Sequence, residues 1–231
     1  MGQFLGWAAA SGYGTMRGAN KAVHFAAALL LATPVAAETV RVVALGDSLT
    51  AGYGLPESEG FVPQLQAWLD AEGVDAEIVN AGVSGDTTAG GLARLGWSLD
   101  AETDAMIVAL GGNDLLRGLP PAVSRDNLEA ILSQVTGERG LPVLLIGLEA
   151  PGNYGADYQA EFDAMYPDLA AEWDALHVDS FLGSLTEEAA LDEARARYMQ
   201  PDGIHPNRDG VGVIVAAIGP RVVELVDRAD P

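Results

Sequence analysis

Short apolar runs alternate with longer amphipathic stretches along most of the chain, and that alternation sets the fold class. Residues 40–45, 78–81, 105–110 and 143–148 are aliphatic or β-branched and read as strands, with a weaker one at 176–178. Helical spacing separates them. Residues 63–72 place Leu65, Trp68 and Leu69 on one face, with Pro63 suited to a first turn. Residues 88–99 repeat Leu92, Leu95 and Leu99, and 122–138 carry Leu128, Ile131, Leu132 and Val135. Residues 156–173 line up Tyr158, Phe162, Met165 and Leu169, a stripe expected to pack on the sheet rather than to wall a ligand. A last helix is expected over 209–228, with Gly219-Pro220 marking a kink. Strands alternating with helices of this length predict βαβ units, a parallel sheet and helices on both faces. No repeat or low-complexity linker interrupts residues 38–231, which are expected to form one domain.

The first 37 residues break the pattern. They contain no Asp or Glu; Arg17 and Lys21 precede an apolar run over 22–32, and Thr33-Pro34-Val35-Ala36-Ala37 follows. A positive segment, a short apolar segment and small residues are the order of a signal peptide, so residues 1–37 are expected to be removed, with Met16 an alternative start. The run is too short for a comfortable membrane span. Without Cys there is no lipid-anchored thiol, no disulfide, no thiolate metal site and no Cys nucleophile.

Composition narrows the partners. The whole chain carries 33 acidic and 12 basic residues. Loss of Arg17 and Lys21 would leave ten basic residues, all Arg, and a net charge of −23. Such a surface repels nucleic acid and anionic membranes, so a small-molecule substrate is expected, with no nucleic acid and no stable membrane anchor. No exposed coiled coil points beyond a monomer.

Open α/β sheets place their sites beyond the carboxyl ends of the strands. The segments there are Gly46-Asp47-Ser48-Leu49, Gly82-Val83-Ser84-Gly85-Asp86, Gly111-Gly112-Asn113-Asp114, Pro151-Gly152-Asn153-Tyr154 and, before the last helix, Asp202-Gly203-Ile204-His205-Pro206-Asn207. After leader removal only His177 and His205 remain. His177 sits in an apolar strand, where a satisfied structural role is expected. His205 sits in a loop at the active edge, three residues after Asp202. A serine hydroxyl needs a base to take its proton, imidazole does this near neutral pH, and a carboxylate fixes its tautomer. Ser48, His205 and Asp202 meet those needs. Acyl transfer also needs donors for an oxyanion, which the N–H of Ser48, the N–H of Gly82 and the side chain of Asn113 are placed to give. Other chemistries lack their residues: there is no phosphate loop, no G-x-S-x-G elbow and too few histidines for a zinc site, so neither metal nor cofactor is expected.

These segments resemble the blocks of the SGNH, or GDSL, hydrolases. Gly46-Asp47-Ser48-Leu49 is similar to the first, Gly82 to the second, Gly111-Gly112-Asn113-Asp114 to the third and Asp202-Gly203-Ile204-His205-Pro206 to the fifth. Gly85-Asp86-Thr87-Thr88, Gly91-Leu92-Ala93-Arg94-Leu95, Asn153-Tyr154-Gly155 and Pro206-Asn207-Arg208 resemble the bacterial periplasmic thioesterase I, lysophospholipase and arylesterase subgroup. The resemblance spans residues 40–226. It implies a flavodoxin-like three-layer α/β/α sandwich with strand order 2-1-3-4-5, and hydrolysis of acyl esters or thioesters through an acyl-serine. It implies a Ser48-Asp202-His205 triad, an oxyanion hole of Ser48, Gly82 and Asn113, and no cofactor. It also implies a mobile substrate loop at 115–121; Leu115 and Leu116 of that loop, with Asn153 and Tyr154 of the segment after the fourth strand, are expected to touch substrate. A carbohydrate acetyl-esterase and a non-catalytic binding protein on the same fold are the competing expectations.

Overall fold

The computed structural model describes residues 39–229 apart from Ala189, together with Gly12 and Gly14. The expected leader, residues 1–37, lies outside the described residues but for those two glycines. Five strands, β1 (Val40–Gly46), β2 (Ala76–Gly82), β3 (Ala105–Ala109), β4 (Val143–Ile146) and β5 (Leu176–Val178), form one parallel sheet in the order β2-β1-β3-β4-β5. The helices are α1 (Ser48–Ala51), α2 (Phe61–Glu72), α3 (Thr88–Ser98), α4 (Gly112–Leu116), α5 (Pro121–Leu132), α6 (Ala156–Glu172), α7 (Gly183–Glu188), α8 (Leu191–Tyr198) and α9 (Arg208–Ala229).

The central strands are apolar but for Arg41 near the start of β1, because both faces are covered. Side chains alternate between faces, so one strand feeds two cores. Val42 and Ala44 join Ile107 and Ile146 in a core closed by Phe61, Leu65 and Leu69 of α2 and Ile214, Ile218 and Val222 of α9. Val43 and Leu45 join Met106 and Leu145 in a second core closed by Leu95 of α3, Leu128 and Ile131 of α5, and Phe162, Met165 and Leu169 of α6. The stripe on α6 is thus a packing face, as expected. Burying each such side chain contributes about 1.5–3 kcal/mol.

Some boundaries differ from the expectations. The helix expected over 122–138 is α-helical only to Leu132, after which one π-helical turn (Ser133–Glu138) carries it on. The last helix continues through Pro220 to Ala229. The short helices α1, α4, α7 and α8 have no counterpart in the sequence reading, since too few turns leave no period to detect.

The register positions the site. Gly46, the last residue of β1, lies opposite Gly82 of β2 and Ala109 of β3. Three strand ends therefore stop at one level, and the segments that follow them open side by side. Glycine at two of these ends is a packing requirement. A Cβ on Gly46 would fall 1.9 Å from Thr50 Oγ1, and one on Gly82 would fall 2.4 Å from the backbone nitrogen of Ala51. Both let α1 settle directly on the sheet edge.

Candidate active site

Ser48 is the first residue of α1, and Asp47 caps that helix by accepting from the N–H of Leu49 at 3.0 Å. The Ser48 hydroxyl is thus held at a helix N-terminus above β1. Its Oγ lies 2.9 Å from Nε2 of His205, 157 residues later in the chain. His205 Nδ1 lies 2.7 Å from Oδ2 of Asp202, whose other oxygen accepts the N–H groups of Ile204 and His205 at 2.9 and 3.0 Å. The three residues expected to act together form one chain of contacts. The hydrogen bonds from His205 and Ile204 hold the Asp202 carboxyl down at about 2. An ionised Asp202 requires a proton on Nδ1, which leaves Nε2 free to accept from the serine.

The loop carrying His205 is braced at several points. Gln200 donates through Nε2 to the carbonyls of Tyr53 and Pro206, at 2.8 and 2.9 Å, and its N–H bonds the His205 carbonyl at 2.8 Å. Asn207 accepts the N–H of Gly210 at 3.0 Å and so starts α9. The Tyr53 ring, half exposed, lies over the imidazole with centroids 4.6 Å apart. Neither Tyr53 nor Gln200 was singled out from the sequence. Nothing in a lone Tyr or Gln marks it as a neighbour of residues so distant in the chain.

The expected oxyanion donors fare unequally. Ser48 N–H makes no hydrogen bond among the described residues, as befits the first position of a helix. Asn113 uses one N–H of its amide on Asp47 Oδ2 at 3.3 Å and has the second to spare. Gly82 does not offer the unobstructed N–H expected of it: that group donates to Oδ1 of Asn80 at 2.9 Å, in a local turn two residues long. Three residues on, Gly85 stands in the left-handed region at φ +88°, and its N–H donates to nothing among the described residues. Arg117, just past α4, donates to the Gly85 carbonyl at 2.8 Å and holds this turn beside the helix that carries Asn113. Arg94 bonds the carbonyls of Gly46 and Ala81 at 2.8 and 2.7 Å and pairs with Asp86, tying the ends of β1 and β2 to the same turn.

The expected substrate contacts divide. Leu115 is buried in the core under α4 and is not a lining residue, because α4 turns it inward. Leu116 and Tyr154 are exposed, as is Asn153 in its 3₁₀ turn. Tyr154 lies against Gly118, and Tyr158 beneath it donates to the Leu119 carbonyl at 2.9 Å, so these segments form one apolar lip. A cleft of about 270 Å³ opens beside Gly203, its lining including Leu148, Leu182, Leu191 and Met199 together with Glu149 and Arg195. His177, expected to be satisfied, is so at one ring nitrogen only. Nδ1 lies 3.3 Å from Asp179, while Nε2 is buried without a partner and burial lowers the pKa.

Residues 44–212 match the GDSL-like Lipase/Acylhydrolase family. The chain belongs to that family. Among relatives of this GDSL-family hydrolase is Esterase TesA of Pseudomonas aeruginosa, 41% identical over 87% of this chain and 91% of that protein. The Thioesterase 1/protease 1/lysophospholipase L1 of Escherichia coli (strain K12) is 38% identical over 86% of this chain and 91% of that protein. The solved structure of AlinE4, an SGNH-hydrolase family esterase, is 44% identical over 81% of this chain and 96% of that one, with a TM-score of 0.65. The GDSL-family chain is therefore an enzyme of the ester-hydrolysing kind, with the SGNH fold expected of it.

Proposed function

We propose that this hydrolase cleaves acyl esters and acyl thioesters through an acyl-serine intermediate on Ser48. The observation that carries the reading is the unbroken contact from Ser48 Oγ through His205 to Asp202. His205 Nε2 takes the serine proton as Oγ attacks the acyl carbonyl, and Asp202 stabilises the resulting imidazolium. The same nitrogen returns the proton to the departing alcohol or thiol. Water then enters by the reverse route and releases the acid.

The oxyanion faces the N–H of Ser48 and the amide of Asn113. The N–H of Gly85 takes the third place, since that of Gly82 is occupied by Asn80. The acyl chain lies on the lip of Leu116 and Tyr154. The names of the relatives, esterase and thioesterase 1/lysophospholipase L1, support this substrate class. A carbohydrate acetylesterase family member from Sinorhizobium meliloti, 19% identical, shares the fold alone. No helix among the described residues is long and apolar enough to cross a membrane. The leader pattern of residues 1–37 supports an exported enzyme; we take it to act as a monomer, its chemistry supplied by Ser48, His205 and Asp202.

Ser48→Ala is expected to reduce turnover of a medium-chain acyl ester by on the order of a millionfold. The wild type should also label stoichiometrically with a serine-directed phosphonate. Turnover surviving in Ser48→Ala would end the assignment, and an unlabelled wild type would favour a binding protein. Faster cleavage of an acetylated oligosaccharide than of the medium-chain ester would favour the acetyl-esterase.

A further inference from the structure

Asp47 and Asp114 are the fully buried carboxylates among the described residues, at 2% and 0% exposure. Asp114 is a structural tie. Its oxygens accept from the N–H and hydroxyl of Thr88 and the hydroxyl of Ser124, joining α4 to α3 and α5. Asp47 is placed differently. One oxygen caps α1 through Leu49, and the other accepts from Asn113 Nδ2. Its side chain has no hydrogen bond to Ser48 Oγ or His205, so it stands outside the proton path.

We infer that Asp47 is a positioning residue, a buried acceptor behind the nucleophile that fixes which way the Asn113 carboxamide faces. This rests on the acyl-serine reading of the same site. A carboxamide is nearly symmetric in shape, but one end donates and the other accepts. An ionised carboxylate only accepts, so it holds the Nδ2 end and leaves the second N–H of that nitrogen for the oxyanion. A flipped amide would instead turn its carbonyl lone pairs toward the developing negative charge. Glycine at 112 leaves room for this approach, since a Cβ there would sit 3.0 Å from Asp47 Oδ2.

Two variants keep the helix cap while changing what Asn113 meets. Asp47→Asn still accepts from Leu49 through its oxygen, but presents an NH₂ to Asn113 and so invites the flip. Asp47→Ser caps with its hydroxyl and leaves no acceptor within reach of Asn113. Both are expected to lower kcat by about 10²–10³, the range for loss of one oxyanion donor, with KM changed by less than about threefold. Because the effect passes through Asn113, adding Asp47→Asn or Asp47→Ser to Asn113→Ala is expected to lower kcat by less than about threefold more. A purely structural Asp47 would give full, multiplied losses in the Asn113→Ala background, and that result would overturn the inference. So would single variants with kcat near wild type while Ser48→Ala is inactive and Asn113→Ala is impaired. Should Asp47→Asn not fold, Asp47→Ser decides by the same comparison. A Ser48→Ala enzyme that still turned over would instead remove the acyl-serine reading, and the inference with it.

Discussion

Two aspartates that feel the charge of one histidine carry opposite perturbations, one from hydrogen bonding and the other from burial. Asp202 is a third exposed and accepts three hydrogen bonds, which hold it at about 2. Asp47 is shut away from water, and burial raises it to about 6, its bonds to Leu49 and Asn113 and the charge of His205 opposing, Asp114 reinforcing. An acid whose folded value is raised stabilises the fold fully below its unfolded value, near 3.8, and loses that contribution as pH rises through about 6. At about 1.4 kcal/mol per pKa unit, the contribution lost is about 3 kcal/mol in full and about 1 kcal/mol between pH 5 and 7.5. Urea unfolding of wild type and Asp47→Ser at those two pH values is expected to show that difference in slope; parallel behaviour would count against it. Asp202 has the reverse sign: its contribution is present above the ordinary carboxylate range and lost as pH falls toward 2. Asp202→Asn should cost about 10³–10⁴ in kcat with the fold retained, because the imidazole then loses its tautomer. Ser48, Asp202 and His205 were legible in the sequence because histidine is scarce and the two loops end up on one edge. The partner of Gly82 was not: whether Asn80 turns back on it is a local rotamer, invisible in a string of letters.

At the level of elements, the main strands and long helices could be read from period alone, since each spans enough residues to repeat. The helices α1 and α4, which carry Ser48 and Asn113, are four and five residues long and gave no such signal. Their positions follow from the sheet edge. Gly82→Ala is expected to lower both melting temperature and kcat, because the new methyl group meets the backbone of Ala51 and must displace α1. Asn80→Ala separates the two glycines. With Gly85 as the donor, kcat should stay within about threefold of wild type, a smaller change than loss of any oxyanion donor. A marked rise on freeing the Gly82 N–H would return the role to Gly82. On the lip, Tyr154→Ala is expected to shift the preferred acyl length while leaving hydrolysis of an acetyl ester within about threefold of wild type, a margin well below that of a catalytic group. An unchanged profile across a chain-length series would take Tyr154 out of the binding surface.

For the molecule as a whole, order, orientation and layers of the sheet were foreseeable because the chain alternates so regularly and a resemblance supplied the strand order. The branching of one strand into two cores follows from the same alternation. Excess negative charge is the other global trait. With 33 acidic residues in the full chain, self-repulsion opposes compaction and is screened over about 10 Å at 0.1 M salt. The melting temperature of the enzyme is expected to rise between about 10 mM and about 0.5 M sodium chloride, where the screening length falls several-fold; a flat curve would show that the charges are already well dispersed.

The contact between Ser48 and His205 spans 157 positions. On the acyl-serine reading proposed above, a polypeptide leaving the ribosome would bear its attacking alcohol long before its base exists, and would remain chemically silent until the segment before the last helix has emerged. During refolding, recovery of catalysis should accordingly lag behind formation of the sheet, reporting closure of the final loop rather than collapse.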